Sequence, residues 1–301
     1  MRVSIGNNVL RFLRASTFCL AIVATCSVHA ATVPTAHPAF WTVHGSSGTA
    51  FVLGSVHALP PNVTWQRPEI DEAARESGTF VFEVSNDPED IAEATRFIRK
   101  RGLLPSGTAL HDLLTPVAQK DYAAACALAG MNATALDDKR PWLAAIVLTV
   151  SYLNQRNVTY LNTPDETYLE EAKRRGKNLL TLDTTSGQLE FLARFDETMG
   201  INGFSAMLGD FTGQPQREDK LIETWGSGDV NVMAALIGSS FENDPQGARL
   251  FAAHNQVWAR ELEDLLKHDR KYFVVVGIAH LVGPTGVPAL LRADGLKVDG
   301  P

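Results

Sequence analysis

Tyr272-Phe-Val-Val-Val276-Gly277-Ile-Ala-His280 is an apolar run of strand length that ends on a glycine and delivers a histidine three residues later. A continuous run of this kind predicts a strand buried on both faces of a sheet. The same pattern stands far upstream as Phe51-Val-Leu-Gly54-Ser-Val-His57. A glycine at a strand end lets the backbone turn tightly or approach a ligand, and ligands in open α/β sheets collect beyond the carboxyl ends of strands. Two imidazoles arriving there from neighbouring strands are suited to sharing a metal ion, or to acting as base and electrophile.

The rest of the fold follows outward from these two strands. Trp41 to His44 and Ala50 to Leu53 flank the turn cluster Gly45-Ser-Ser-Gly48, which predicts a β-hairpin. Pro68 opens a helix with Ile70, Ala73 and Ala74 on one face, and Thr79-Phe-Val-Phe-Glu-Val84 is the next strand. From about residue 88 to 267 apolar residues recur at helical spacing, with breaks at Gly102, Pro105 and Pro141. One strand, residues 178–182, interrupts this helical insertion. Its last helix, Pro245 to Lys267, places Leu250, Val257, Trp258, Leu262 and Leu265 at helical periods. A short helix from Val287 to Arg292 and an edge strand from Leu296 to Val298 close the chain. The order predicts an α/β fold: a mixed central β-sheet with a large helical insertion between its N- and C-terminal halves.

Residues 1–30 carry Arg2, Arg11, Arg14 and an apolar stretch from Ala15 to Val28, with no acidic residue. That is the layout of a secretory signal peptide, cut after Val28-His29-Ala30, and its apolar part is too short for a membrane span. The expectation is one domain over residues 31–301, exported to the periplasm or the exterior. Lipidation at Cys26 is the minority alternative, because Thr25 is a poor residue to precede a lipidated cysteine. Without the leader, 24 basic residues face 34 acidic ones, a net charge of −10, which argues against a nucleic-acid partner. Cys126 is then the one remaining cysteine, and its run Tyr122-Ala-Ala-Ala-Cys-Ala-Leu-Ala reads as a buried helix rather than a nucleophile's setting.

Glu83 interrupts the apolar strand Phe80-Val-Phe-Glu-Val. A carboxylate there needs a partner or a proton, since an unpaired buried charge is costly. Two histidines and one carboxylate make a common catalytic zinc or iron ligand set. Asp165 and Glu166 fit a helix N-terminus, where the dipole favours negative charge. Asp183 sits at a strand end but also suits a turn or cap, and Gln188 and Asn255 are helical polar residues that line a pocket or face solvent. The chain has no P-loop, dinucleotide glycine fingerprint, HExxH or GxSxG motif.

Leu53-Gly-Ser-Val-His57, Phe82-Glu83, Leu182-Asp-Thr184 with Gln188, Trp225-Gly-Ser-Gly-Asp229, Asn255 with Trp258, and Val276-Gly-Ile-Ala-His-Leu-Val-Gly283 together resemble the TraB/GumN family. The resemblance runs from about Trp41 to Val298. That family is similar to the Tiki metalloproteases and belongs with erythromycin esterases and haem-binding ChaN-like proteins. The resemblance implies a site of His57, Glu83 and His280, with Asp165 and Asn255 in support. His254 stands where the family commonly has arginine, and Asp183 where it has glutamate.

On this reading the chain is an exported metal-dependent hydrolase, peptidase- or amidase-like, with His57, Glu83 and His280 holding zinc, manganese or cobalt and Asp165 a candidate base. A metal-free ester hydrolysis, with His57 activating water and Glu83 orienting the imidazole, is a second enzymatic reading. The rival from another class is a non-catalytic binder of haem, metal or a polysaccharide-related ligand. A peptide or small molecule is the expected substrate.

Overall fold

The computed structural model describes residues 35–301 except Asn86, Tyr160, Pro215 and Asn243, together with all side chains of its helices and strands but those of Phe195, Asp196 and Met199. The predicted leader, Cys26 included, lies outside the described residues.

Strands β1 (Phe40–His44) and β2 (Thr49–Ser55) form the predicted antiparallel hairpin. Helix α1 (Pro68–Glu76) leads to β3 (Thr79–Val84). Then come α2 (Pro88–Arg101), α3 (Pro116–Leu128), α4 (Pro141–Gln155) and α5 (Pro164–Arg174). Each of these five helices begins at a proline, whose fixed φ and missing N–H cost nothing in a first turn. Pro141, read from the sequence as a break, is therefore a start. Strand β4 (Asn178–Asp183) precedes α6 (Thr185–Gly213), α7 (Arg217–Ser227), α8 (Val230–Ser239) and α9 (Pro245–Leu265). Strand β5 (Lys271–Gly277), helix α10 (Val287–Ala293) and β6 (Lys297–Asp299) complete the chain.

The six strands make one mixed sheet in the order β4-β3-β5-β2-β1-β6. Strands β4, β3, β5 and β2 are mutually parallel, while β1 runs antiparallel to β2 and β6. The last long strand thus inserts between two early ones. Its residues Phe273 to Val276 are at most 1% exposed, as the unbroken apolar run requires of a strand covered on both faces. Because the four strands are parallel, His57, Glu83, Asp183 and His280 all come to the same edge of the sheet.

Two apolar cores hold the molecule. One joins the sheet to α1, α5, α9 and α10 through Trp41, Trp65, Phe80, Tyr168, Trp258 and Phe273. The other lies among α2, α3, α4 and α6 and contains Tyr122, Trp142, Leu148 and Leu208. Cys126 is fully buried there, as its apolar surroundings predict. On α9 the apolar stripe is narrower than the spacing suggests: Trp258 and Leu262 are buried, but Val257 is 43% exposed. Residues 257 and 258 lie about 100° apart around a helix, so only one of them faces the sheet. No described helix is long and apolar enough to cross a membrane.

Candidate active site

Glu83, 5% exposed, stands at the centre of the sheet edge. Its Oε1 accepts the backbone N–H of Gly277 at 2.5 Å, and its Oε2 accepts Gln188 Nε2 at 3.0 Å. Burial alone would push this carboxyl up. The charge of His57 and the hydrogen bonds from Gly277 and Gln188 outweigh it and hold Glu83 below the usual carboxylate range. Gly277 is required for this approach, since a Cβ there would stand 3.0 Å from Glu83 Oε1 and 3.3 Å from His57 Nε2.

His57 lies between two carboxylates. Its Nε2 is 3.7 Å from Glu83 Oε2 and its Nδ1 is 3.5 Å from Asp165 Oδ2. Both separations exceed an ordinary hydrogen bond, so neither ring proton is tightly committed. Asp165 also accepts the hydroxyl of Ser55, the last residue of β2. Burial lowers the His57 pKa, but the charges of Asp165 and Glu83 more than reverse this and push it up to about 10. With 49% of its side chain accessible, His57 is the open member of the site, and the direction of its shift rests on the two flanking carboxylates.

His280 sits in the opposite setting. Its ring stacks on Phe251 at 4.7 Å between centroids and lies 4.3 Å from Trp258. Burial among these rings outweighs the attraction of Glu83 and lowers its pKa to about 4. Asn255, fully buried, donates from Nδ2 to Thr285 O and therefore turns Oδ1 toward His280 Nδ1, 2.6 Å away. The network assigns the proton to Nδ1 and leaves Nε2 with a free lone pair.

His254 and Asp183 face each other at 3.9 Å at the margin of the site. Burial dominates both, lowering the imidazole and raising the carboxyl, so the pair leans toward neutrality. His254 stacks on Phe191 at 4.4 Å and lies 5.7 Å from His280. It is part of the site wall rather than a free helix-surface histidine.

The structure thus brings together His57, Glu83, His280, Asp165, Gln188 and Asn255. Asp165 does more than favour a helix dipole, since it touches both Ser55 and His57. Asp183 lies beside the cluster, and the cap of α6 is Thr184, whose Oγ1 accepts Gly187 N–H. Sequence reasoning missed Ser55, although it lies inside the first quoted motif. It also missed Phe191, Phe241 and Phe251, which carry no local signal because their partners come from other helices.

The chain matches the model of the TraB/PrgY/gumN family over residues 39–300. It belongs to that family. A search of curated proteins and one of solved structures returned no match. The structure gives the Trp225-Gly-Ser-Gly-Asp229 stretch a physical role. The indole of Trp225 donates to Gly54 O at 2.9 Å and pins the end of β2. Gly228 closes α7 at φ 72°, where a Cβ would meet His37 O at 2.5 Å, and Asp229 caps α8 by accepting two backbone N–H groups.

The metal expected at His57, Glu83 and His280 has its donor types in place. As these side chains stand, however, no three His, Cys, Asp or Glu groups among the described residues share a metal-sized spacing.

Proposed function

We propose that this family member is a hydrolase of peptide, amide or ester bonds, exported by its leader, in which His280 is the general base and the His57 imidazolium the general acid. The observation that supports this is a single one. Two histidines at the ends of adjacent parallel strands have opposite protonation preferences around one shared carboxylate. Titratable groups whose settings drive their pKa values apart are the mark of acid and base assignments. Metal-free ester hydrolysis with His57 as base is the alternative expected from the sequence; here His57 takes the acid role because its two flanking carboxylates favour the charged ring.

In the proposed reaction His280 Nε2 accepts a proton from water, and the water oxygen bonds to the substrate's carbonyl carbon. The bond to the leaving group then breaks as His57 supplies a proton to the departing nitrogen or oxygen. Asn255 keeps His280 in the required tautomer, and Glu83 stabilises the imidazolium before and after the transfer. Asp165 positions His57 and holds Ser55.

The test is hydrolysis of a panel of fluorogenic peptides and p-nitrophenyl esters by the purified protein and by His57→Gln and His280→Gln variants. Each substitution is expected to lower kcat/KM by roughly 10²- to 10⁴-fold, the usual worth of a positioned acid or base. Unchanged rates in both variants would overturn the assignment. Elemental analysis of the same samples adds a second check. Near one transition metal per chain, lost in a His57→Ala, His280→Ala double variant, would replace the His57 proton by a metal and overturn its acid role.

A further inference from the structure

Three phenylalanines gather beside the proposed base. Phe251 on α9 stacks on His280, with ring planes 23° apart. Phe241, in the turn between α8 and α9, packs on Phe251 at 5.4 Å, and Phe191 on α6 lies 6.4 Å from Phe251 on another side. Phe191 also stacks on His254, which closes the group against Trp258 at 4.8 Å. All three phenylalanines are partly exposed. Aromatic rings partly open to water offer apolar area that an apolar ligand can cover. Here they also touch the group proposed to activate water.

The geometry points to a recognition subsite formed by Phe191, Phe241, Phe251 and His254, which takes an aromatic or bulky apolar group of the substrate next to the bond that is cut. This rests on the hydrolase reading for the position of the bond, but not for the binding itself. The opposite side of the site carries His57, Asp165 and Ser55, a charged and hydrogen-bonding surface. A substrate is therefore gripped at its apolar part on the His280 side and meets polar groups on the His57 side. Offset and edge-on ring contacts favour an aromatic group beyond area burial, and the imidazole of His254 offers one more ring face. The inference assigns a class, phenyl-bearing or branched apolar groups over small or anionic ones.

Two neutral probes test it without turnover: 3-phenylpropanamide and propanamide, titrated into the purified protein while the histidine ring signals are followed by NMR. The phenyl probe is expected to bind at least roughly tenfold more tightly, as an apolar pocket discriminates, and to shift the His280 and His254 signals. Phe191→Ala should weaken it by about threefold to tenfold, and Phe241→Ala gives the same reading should the first variant fail to fold. Equal affinities for the two probes, or phenyl binding unchanged in both variants, would overturn the subsite. If the phenyl probe binds but no ester or peptide is cleaved, the subsite stands and the hydrolase reading fails. If cleavage is found with phenyl and methyl acyl groups used within twofold of each other, the hydrolase stands and the subsite fails.

Discussion

His57 and His280 end the same motif on adjacent parallel strands, yet the fold treats them oppositely. The glycine of the first motif is pinned by the Trp225 indole, and its histidine swings out to lie half-exposed between Asp165 and Glu83. The glycine of the second is pinned by Glu83 itself, and its histidine folds under Phe251 and Trp258. One imidazole is thereby charged and the other neutral. A repeated sequence motif sets where two side chains arrive, and the elements around each decide what it does there.

The largest expected way to break the difference is Glu83→Gln. It removes the charge that both histidines share, so His57 should lose part of its upward shift and kcat/KM should fall by roughly 10²- to 10⁴-fold. Circular dichroism should show the fold retained, since Gln keeps one oxygen acceptor; a variant as active as wild type would contradict the shared role of Glu83.

The pH dependence of stability sharpens the comparison. His57 has a folded pKa of about 10 against an ordinary 6.5, so its contribution is full below about 6.5 and is lost as pH rises through 10. His280 has a folded pKa of about 4, so its contribution is full above about 6.5 and is lost as pH falls through 4. Thermal melting across this range should show Tm falling at both ends. His57→Gln should flatten the alkaline limb alone, and His280→Gln the acid limb alone. Exchange of the two limbs between the variants would reverse the assignments.

Smaller effects probe the supports. Asn255→Ala frees the His280 tautomer and should lower kcat/KM by about threefold to tenfold, the worth of one hydrogen bond, with little change in KM. Trp225→Phe leaves Gly54 O without its donor and should cost about 1 kcal/mol of stability, measured by urea unfolding, while the catalytic pH profile keeps its shape.

Much of this was legible in the sequence. The apolar run before His280 announces a strand covered on both faces, the paired Gly-x-x-His pattern announces a shared site, and Glu83 stands out because an apolar strand does not tolerate a lone charge. The residue pattern alone reads Asp165 as a helix start, and only the family resemblance places it at the site, because its partners Ser55 and His57 lie about 110 residues away in sequence. The same holds for Asn255, while the phenylalanines carry no signal at all. Helical spacing tells which residues share a face, but not which neighbouring element that face will meet. The opposite charge preferences of the two histidines were not legible at all, since they come from packing around two identical patterns.

The most direct test is an NMR titration of the histidine ring protons in the purified protein, with signals assigned by His57→Gln and His280→Gln. The account predicts that His57 stays protonated until the pH nears 10 and that His280 stays neutral until it falls toward 4. Two histidines titrating together near 6.5, or in the reverse order, would contradict it.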